Sequence, residues 1–346
     1  MPEKHSRVTL KDIAQKTHFS VNTVSKVLSG QSKNARISPA TTRKIKKIAD
    51  QLGYVPNQLA RNLRAKNTGL VGVFVADMTD PIYAGIAHAV LENLPKNDLF
   101  PLLTVAEAGL DLCRESWIRN RIDGLILCGT TSQMSTEFFQ DLAKQGLTTV
   151  IAGNYYVDPT QHLSTAPPVS TAHVNNQVGI ELALKHLLEQ GRKKIAFITG
   201  PHSHSDAAKR RTAYETLIKP HHKPIIADVT TEEQFWRRGY HAAELLNRSK
   251  EQFDAIVAYD DLVAIGAMKW LNDHNISIPR DMAVIGFDNL PQCEYAIPSL
   301  SSTEQPVGIV GRKSVELLQS HLQSEGAMEH ILLTPSLVIR QSTQTM

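Results

Sequence analysis

Cysteine is scarce in this chain, and the three present, Cys113, Cys128 and Cys293, have neither metal-ligand spacing nor a pairing framework. That pattern suits a reducing compartment and small core or boundary positions. No apolar run reaches the roughly 18 residues that a membrane span requires, and the N-terminus is polar and basic without the apolar segment of a signal peptide. The expected location is therefore the cytoplasm, with no membrane partner. Enzyme signatures are missing as well: there is no phosphate-binding loop of the G-x-x-x-x-G-K type, no G-x-G-x-x-G after a strand and no G-x-S-x-G elbow. His202 and His204 lie close in sequence but lack a third ligand at sensible spacing. The expectation is no catalytic residues, no cofactor and no metal.

What the chain does have is an uneven charge. The whole carries a net charge of +3, but residues 1–66 hold 14 Lys and Arg against 3 Asp and Glu, a net of +11, while the remainder holds 23 against 31, a net of −8. A basic head on an acidic body is attracted to a polyanion. Within the head, Leu10, Ile13 and Ala14 share one helical face, and Val21, Val24, Val27 and Leu28 share another after a break at Thr17-His18-Phe19. Ser20 is placed to cap the second helix, its hydroxyl taking amides of the first turn. Two short amphipathic helices joined by a tight turn fit any helical bundle, but with this charge they read as a helix-turn-helix whose second helix enters the DNA major groove. Asn22, Thr23, Ser25 and Lys26 are left pointing outward, all able to reach base edges or phosphates. Ser38-Pro39 starts a third helix carrying Ile45, Ile48, Ala49 and Leu52, and Gly53 closes it as a left-handed cap. Its run of Arg43, Lys44, Lys46 and Lys47 is a solvated face or a set of phosphate contacts. Gln58 to Ala65 has good helix formers but only about two turns of length, too few to stand alone in water.

From Leu70 the texture changes to β-type runs alternating with helical stretches. LVGVFVA, PLLTV, GLILCG and TTVIAG alternate with helices, and a break rich in Pro, Ser and Thr follows at Ser164–Thr171. After it come KKIAFITG, PIIAD, DAIVAY and DMAVIGFD, each again paired with a helix. Two such series predict an α/β body of two doubly wound parallel-sheet lobes, with a ligand cleft at strand C-terminal ends. The 42% hydrophobic composition is enough for sizeable cores.

VTLKDIAQKTHFSVNTVSKVLSG, followed by TTRKIKKIADQLGYVPNQLARNL, resembles the head of the lactose-repressor and purine-repressor (LacI/GalR) family of bacterial transcription regulators. The likeness continues through VNNQVGIELALKHLLEQGRKKIAFITGP, YDDLVAIGAMKWLNDHNISIPRDMAVIGFDN and LSSTEQPVGIVGRKSVELL, so it covers nearly the whole chain. Two departures stand out: His18 replaces the small residue usual in the turn, and the loop Gly30 to Arg36 is some three residues longer than expected. His is among the residues that tolerate a left-handed backbone.

The resemblance implies a helix-turn-helix domain over 1–56, a hinge helix and linker over 57–69, and a body resembling a periplasmic binding protein. It places lobe 1 at 70–170 plus 299–327 and lobe 2 at 171–298 plus 328–346. It implies DNA contacts from Thr9, Ser20, Val21, Asn22, Thr23, Ser25, Lys26, Ser38, Thr41, Tyr54 and Asn57, with Leu63 as an apolar wedge in the minor groove. For the cleft it implies effector contacts from Tyr83, His204, Asp206, Arg210, Asp260 and Asp288, and Phe235 and Trp236 fall near a further aromatic position. Arg210 can grip a diol, carboxylate or phosphate in a bidentate way, and Asp288 can accept two sugar hydroxyls. The expected function is a homodimeric repressor on a palindromic double-stranded operator, controlled by a sugar, sugar acid or sugar phosphate. The cationic stretch Lys209-Arg210 leans the expectation toward an anionic ligand. The alternative is a solute-binding protein without a DNA role, which would share the lobes but has no use for a head of this charge. If the head docks on six or more phosphates, duplex affinity falls about a thousandfold or more between about 50 and 200 mM salt; a flat salt response in a fluorescence-anisotropy titration would contradict that docking.

Overall fold

The computed structural model describes residues 8–28, 32, 35–54, 67–157, 167–229, 235–249, 251–324 and 327–344. The chain folds as two units, Met1–Thr68 and Gly69–Met346.

Among its described residues the first unit has three helices, α1 (Leu10–Thr17), α2 (Val21–Leu28) and α3 (Pro39–Gln51). Their apolar faces meet in one core of Ile13, Ala14, Val24, Val27, Ile45 and Ala49, with Leu10, Phe19, Leu28, Leu52 and Tyr54 packed around it. Val21 departs from the face expected for it and is 42% exposed, because it opens α2 ahead of the turn that meets the core. The turn between α1 and α2 passes through His18 at φ 60°, the left-handed conformation the sequence demanded there. Helix α3 ends as expected on a left-handed Gly53 at φ 65°. There the Gly53 amide donates to the Asp50 carbonyl and the Tyr54 amide to the Ala49 carbonyl, the paired bonds of a Schellman cap. The segment expected to form the hinge helix, with Asn57 and Leu63, lies outside the described residues, as does Lys33.

The described residues of the second unit form two six-stranded sheets. In the first, β1 (Leu70–Val75), β2 (Phe100–Val105), β3 (Gly124–Cys128), β4 (Thr148–Ala152), β5 (Ser170–Val174) and β11 (His330–Leu333) lie in the order β11-β5-β4-β3-β1-β2, all parallel. In the second, β6 (Ile195–Ile198), β7 (Ile225–Ala227), β8 (Ala255–Ala258), β9 (Ala283–Asp288), β10 (Ser301–Glu304) and β12 (Ser336–Val338) run in the order β12-β10-β9-β8-β6-β7. Only β12 is antiparallel to its neighbour. Apolar clusters cover both faces of each sheet, which is why the central strands read as continuous rather than alternating apolar runs. The doubly wound expectation therefore holds for both lobes.

The crossings between lobes fall elsewhere than expected. Strand β5 was read as part of a Pro-, Ser- and Thr-rich break and the boundary set at 170/171, yet Ser170–Val174 pairs with β4 and β11 inside the first sheet. Residues 299–327 were assigned to lobe 1, but β10 pairs with β9 in the second sheet, and only the helix Val307–Gln323 returns to the first lobe, where Val310, Val315 and Leu318 join its core. Residues 328–333 likewise belong to the first sheet through β11. The chain thus passes between lobes after Val174, after Glu304 and after Leu333. The physical reason for the error is composition: STAHV and SSTE are strands whose short polar side chains are buried and hydrogen-bonded, so hydropathy hides them.

In the second lobe, helices Phe235–Arg248 and Asp261–Asp273 approach backbone to backbone at two glycines. A Cβ on Gly239 would overlap the Val263 carbonyl, and one on Gly266 the Trp236 carbonyl. Gly266→Ala should therefore cost about 1–3 kcal/mol or more, as overpacking against rigid backbone does. Urea denaturation checks this, and an unchanged midpoint would show that the two helices are not held at this spacing.

Candidate functional site

On the head, the residues expected to meet DNA divide by exposure. Val21, Asn22 and Lys26 of α2 are exposed, while Thr23 and Ser25 are half-buried. Ser20 accepts from the Thr23 amide at 3.1 Å and its hydroxyl lies 2.9 Å from that of Thr23, so both side chains serve the cap as well as the surface. Ser38 and Thr41 repeat the same arrangement at the start of α3, at 3.1 and 2.9 Å. Thr9 donates through its amide and hydroxyl to Asp12, at 2.7 and 2.8 Å, and these bonds hold the Asp12 carboxyl below its usual range. Tyr54 is half-buried against the helical core. An exposed valine at the start of a recognition helix suits apolar contact with a thymine methyl, beside the amide of Asn22 for base-edge hydrogen bonds. Lys44 stands over the Phe19 ring at 5.6 Å.

The body holds a cleft of about 410 Å³, open mouth included. It is lined from the first lobe by Asp80, Pro81, Ile82, Tyr83 and Asn154, and from the second by Asp206, Arg210, Phe235, Tyr259, Asp260, Leu262, Asp288 and Leu290, with Gln305 on a crossing segment. The polar residues come from the C-terminal ends of β1, β4, β6, β8 and β9 and from the loops and first helical turns that follow them, where doubly wound sheets receive ligands. Local sequence puts them there. Asp80-Pro81 caps the helix Pro81–Asn93, with the Asp80 carboxylate accepting from the Ile82 and Tyr83 amides at 2.8 and 3.4 Å. Asp260 caps Asp261–Asp273, accepting from the Val263 amide at 2.6 Å. Asn154 fastens one lobe to the other: its carbonyl oxygen accepts from the Ser205 hydroxyl at 2.6 Å and the Asp206 amide at 3.1 Å, while its amide donates to the Tyr83 hydroxyl at 2.9 Å.

Arg210 is 1% exposed and sits at the floor. Its Nε donates to Asn176 at 2.8 Å, its Nη1 donates to the Tyr259 carbonyl at 2.6 Å, and its Nη2 lies 3.6 Å from Asp288 and 3.9 Å from Asp206. The guanidinium also lies 3.6 Å from the centroid of the Phe287 ring. Asp288, at φ 119°, accepts from Gln305 at 2.6 Å. Burial raises the Asp288 carboxyl well above its usual range although Arg210 opposes this. Burial likewise lifts Asp260 to about 7, Asp80 to about 6 and Asp261 to about 6. Asp261 lies behind the wall, where it accepts from the Ser302 hydroxyl at 2.5 Å and the Leu290 amide at 2.7 Å.

Five of the six residues expected in the cleft, Tyr83, Asp206, Arg210, Asp260 and Asp288, line it together, and so does Phe235. His204 does not: its Nδ1 lies 3.4 Å from the Tyr259 hydroxyl and its backbone bridges to Tyr156, so it supports the wall from behind. Trp236 is 50% exposed and outside the lining. His202 engages Asp228 at 2.6 Å, so the two histidines serve different partners, and among the described residues no group of three metal-ligating side chains converges. Asp80, Asn154 and Gln305 were missed. Asp80 was legible as an Asp-Pro helix start directly after a strand; Asn154 and Gln305 carried no local signal.

A helical DNA-binding head on a two-lobed body with a polar cleft is the construction of a regulator whose DNA binding answers to a small molecule. Residues 9–57 match the family of bacterial regulatory proteins called lacI, and residues 184–343 match a periplasmic binding protein-like domain. Catabolite control protein A of Priestia megaterium is 27% identical, over 97% of this chain and 99% of its own. A transcriptional regulator CelR in complex with cellobiose is 25% identical with a TM-score of 0.67, covering 97% of this chain and 100% of its own. The lac repressor dimer bound to operator and an anti-inducer shares the fold at a TM-score of 0.83 and 21% identity, over 98% of this chain and 100% of its own. The chain joins a head of the lacI type of bacterial regulatory proteins to a periplasmic binding protein-like body, and it is a DNA-binding transcription regulator. The match to the head removes the alternative of a solute-binding protein without a DNA role.

The cleft carboxyls set a pH dependence. Asp260 sits at about 7 when folded against 3.8 for an unperturbed carboxyl, facing Asp261, Asp80 and Arg210. The folded protein therefore keeps a proton that the unfolded chain releases, and this contribution is full below about pH 4 and lost as pH rises through about 7. Asp260→Asn keeps the helix cap and should flatten that part of the decline. Melting temperatures without ligand across pH 5 to 8 test it, and parallel curves for the two proteins would exclude a proton on Asp260.

Proposed function

We propose that the protein is a cytoplasmic repressor that binds a roughly palindromic double-stranded operator as a homodimer, and that a small polar metabolite in the cleft sets its operator affinity without any catalytic step. The observation that carries this is the union, in one chain, of an exposed recognition helix with a cleft lined by polar groups of two lobes and floored by Arg210. Asp206, Arg210, Asp260 and Asp288 hold the ligand's polar groups and Tyr83 covers it from the first lobe. On the head, Val21, Asn22 and Lys26 meet the major groove, while Thr9, Ser20, Ser38, Thr41 and Tyr54 orient the helices on phosphates. Leu63 wedges the minor groove and Asn57 contacts the backbone beside it. Support for pairing comes from apolar surface: Phe100 and Leu103 on edge strand β2 are 43% and 46% exposed, and Tyr295 and Ile297 are 83% and 84% exposed. The complexes known for the relatives, an operator-bound dimer and a cellobiose complex, point the same way. Ligand and operator affinities are then linked reciprocally through the dimer.

Two variants separate the halves of the proposal. Leu63→Ala should weaken binding to an operator selected from random duplexes, by about tenfold or more if an inserted wedge worth a few kcal/mol is lost, while ligand still raises the melting temperature. Arg210→Lys keeps the buried charge but loses the forked geometry, so it should blunt the ligand response and leave the operator affinity near that of the parent. Fluorescence anisotropy and thermal shift measure both. A preference for no duplex over random competitor, with or without sugars, would end the proposal.

A further inference from the structure

The strongest local anion receptors in such a body are the amides at helix N-termini and the arginine at the floor. In this chain both are already taken by the protein's own acceptors. At the helix Pro81–Asn93 the Ile82 and Tyr83 amides are held by Asp80; at Asp261–Asp273 the Val263 amide is held by Asp260. At Ser205–Ile218 the Asp206 amide is held by the Asn154 side chain at 3.1 Å. Arg210 spends Nε and Nη1 on Asn176 and the Tyr259 carbonyl and turns Nη2 toward Asp206 and Asp288. Lys209, whose charge led the sequence reading toward an anionic ligand, stands over the Tyr155 ring at 4.7 Å and 3.4 Å from His173, outside the lining. The ammonium that prompted that expectation therefore does not face the cleft.

The wall therefore presents four carboxyls, Asp80, Asp206, Asp260 and Asp288, against one guanidinium that is already matched. We infer that the cleft takes an uncharged polyhydroxylated ligand and turns away phosphate esters and sugar acids, an inference that rests on the reading of the cleft as the sensor. Vicinal hydroxyls can donate in pairs to a carboxylate and accept from Asn154, Gln305 or Arg210. Ile82, Phe235, Leu262 and Leu290 offer apolar surface for the C–H faces of a ring. A phosphate or carboxylate would have to displace Asp288 or Asp206 from Arg210 and remain beside like charges in a desolvated site, which is strongly unfavourable. The raised titration of Asp80, Asp260 and Asp288 agrees, because a site that already resists its own negative charge resists more. An ammonium finds every carboxyl of the wall already holding a donor: Asp80 and Asp260 hold helix amides, Asp206 holds Asn176 and Asp288 holds Gln305.

The test is isothermal titration calorimetry and thermal shift on the full chain with matched probes: ribose and ribose 5-phosphate, then glucose, glucose 6-phosphate, gluconate and glucosamine, then cellobiose. At least one neutral sugar should bind about tenfold or more tightly than its charged counterparts, the equivalent of about 1.4 kcal/mol. The double variant Asp260→Asn, Asp288→Asn should narrow that ratio toward the phosphate ester, since it removes charge while keeping hydrogen-bonding capacity. A phosphate, acid or amino sugar that binds the parent as tightly as its neutral partner overturns the inference but leaves the sensor reading standing. Silence of both proteins toward every probe would remove the sensor, and the inference with it.

Discussion

A single buried cation governs the body of this protein. Arg210, almost without solvent contact, has to be neutralised and hydrogen-bonded where it stands, because an uncompensated guanidinium in a low-dielectric interior costs several kcal/mol. Its partners come from different stretches of chain: Asn176 at the start of one helix, the Tyr259 carbonyl past β8, Asp288 at the tip of β9 and Asp206 one turn earlier on its own helix. Each of those groups is thereby placed at the cleft. Asp288 holds Gln305 in turn, and Asp206 holds Asn176, whose amide reaches it at 2.8 Å. The residues that line the cleft and the residues that satisfy a buried charge are thus largely the same set.

The two lobes are tied both by the chain and by side chains. Three crossings, after β5, β10 and β11, carry the backbone across; β5 and β11 are neighbours at one edge of the first sheet, and β10 lies beside edge strand β12 in the second. Asn154, from the first lobe, is committed to Ser205 and Asp206 of the second and to Tyr83 of its own. A ligand that engages Asp206 and Tyr83 acts directly on this clasp.

Much of this was legible from the sequence. The capping serines at 20 and 38, the left-handed turn at His18 and Gly53, and the apolar spacings of α1 to α3 are local properties, and local rules sufficed. The same holds for the strand-helix alternation of the body, whereas Arg210, Asp206, Asp260, Asp288 and Tyr83 were expected at the cleft from the family resemblance and not from any local rule. What escaped was non-local. Ser170–Val174 and Ser301–Glu304 are short, rich in Ser and Thr, and buried only because neighbouring strands satisfy them. Asn154 and Gln305 enter the site through partners 51 and 17 residues away.

By itself the chain determined a basic helix-turn-helix head, two α/β lobes in sequence, and the strand ends at which a ligand must be met, since each follows from spacing, capping and charge within a few residues. Only the tertiary structure decided which strands cross between lobes and whether the charged residues of the cleft are available. Lys209 and Arg210 look alike as cations in sequence, yet one is turned onto an aromatic ring and the other is hydrogen-bonded to Asn176 and the Tyr259 carbonyl between Asp206 and Asp288. Net charge at a site depends on which groups converge and how dry they become, and neither quantity exists until the chain has closed around them.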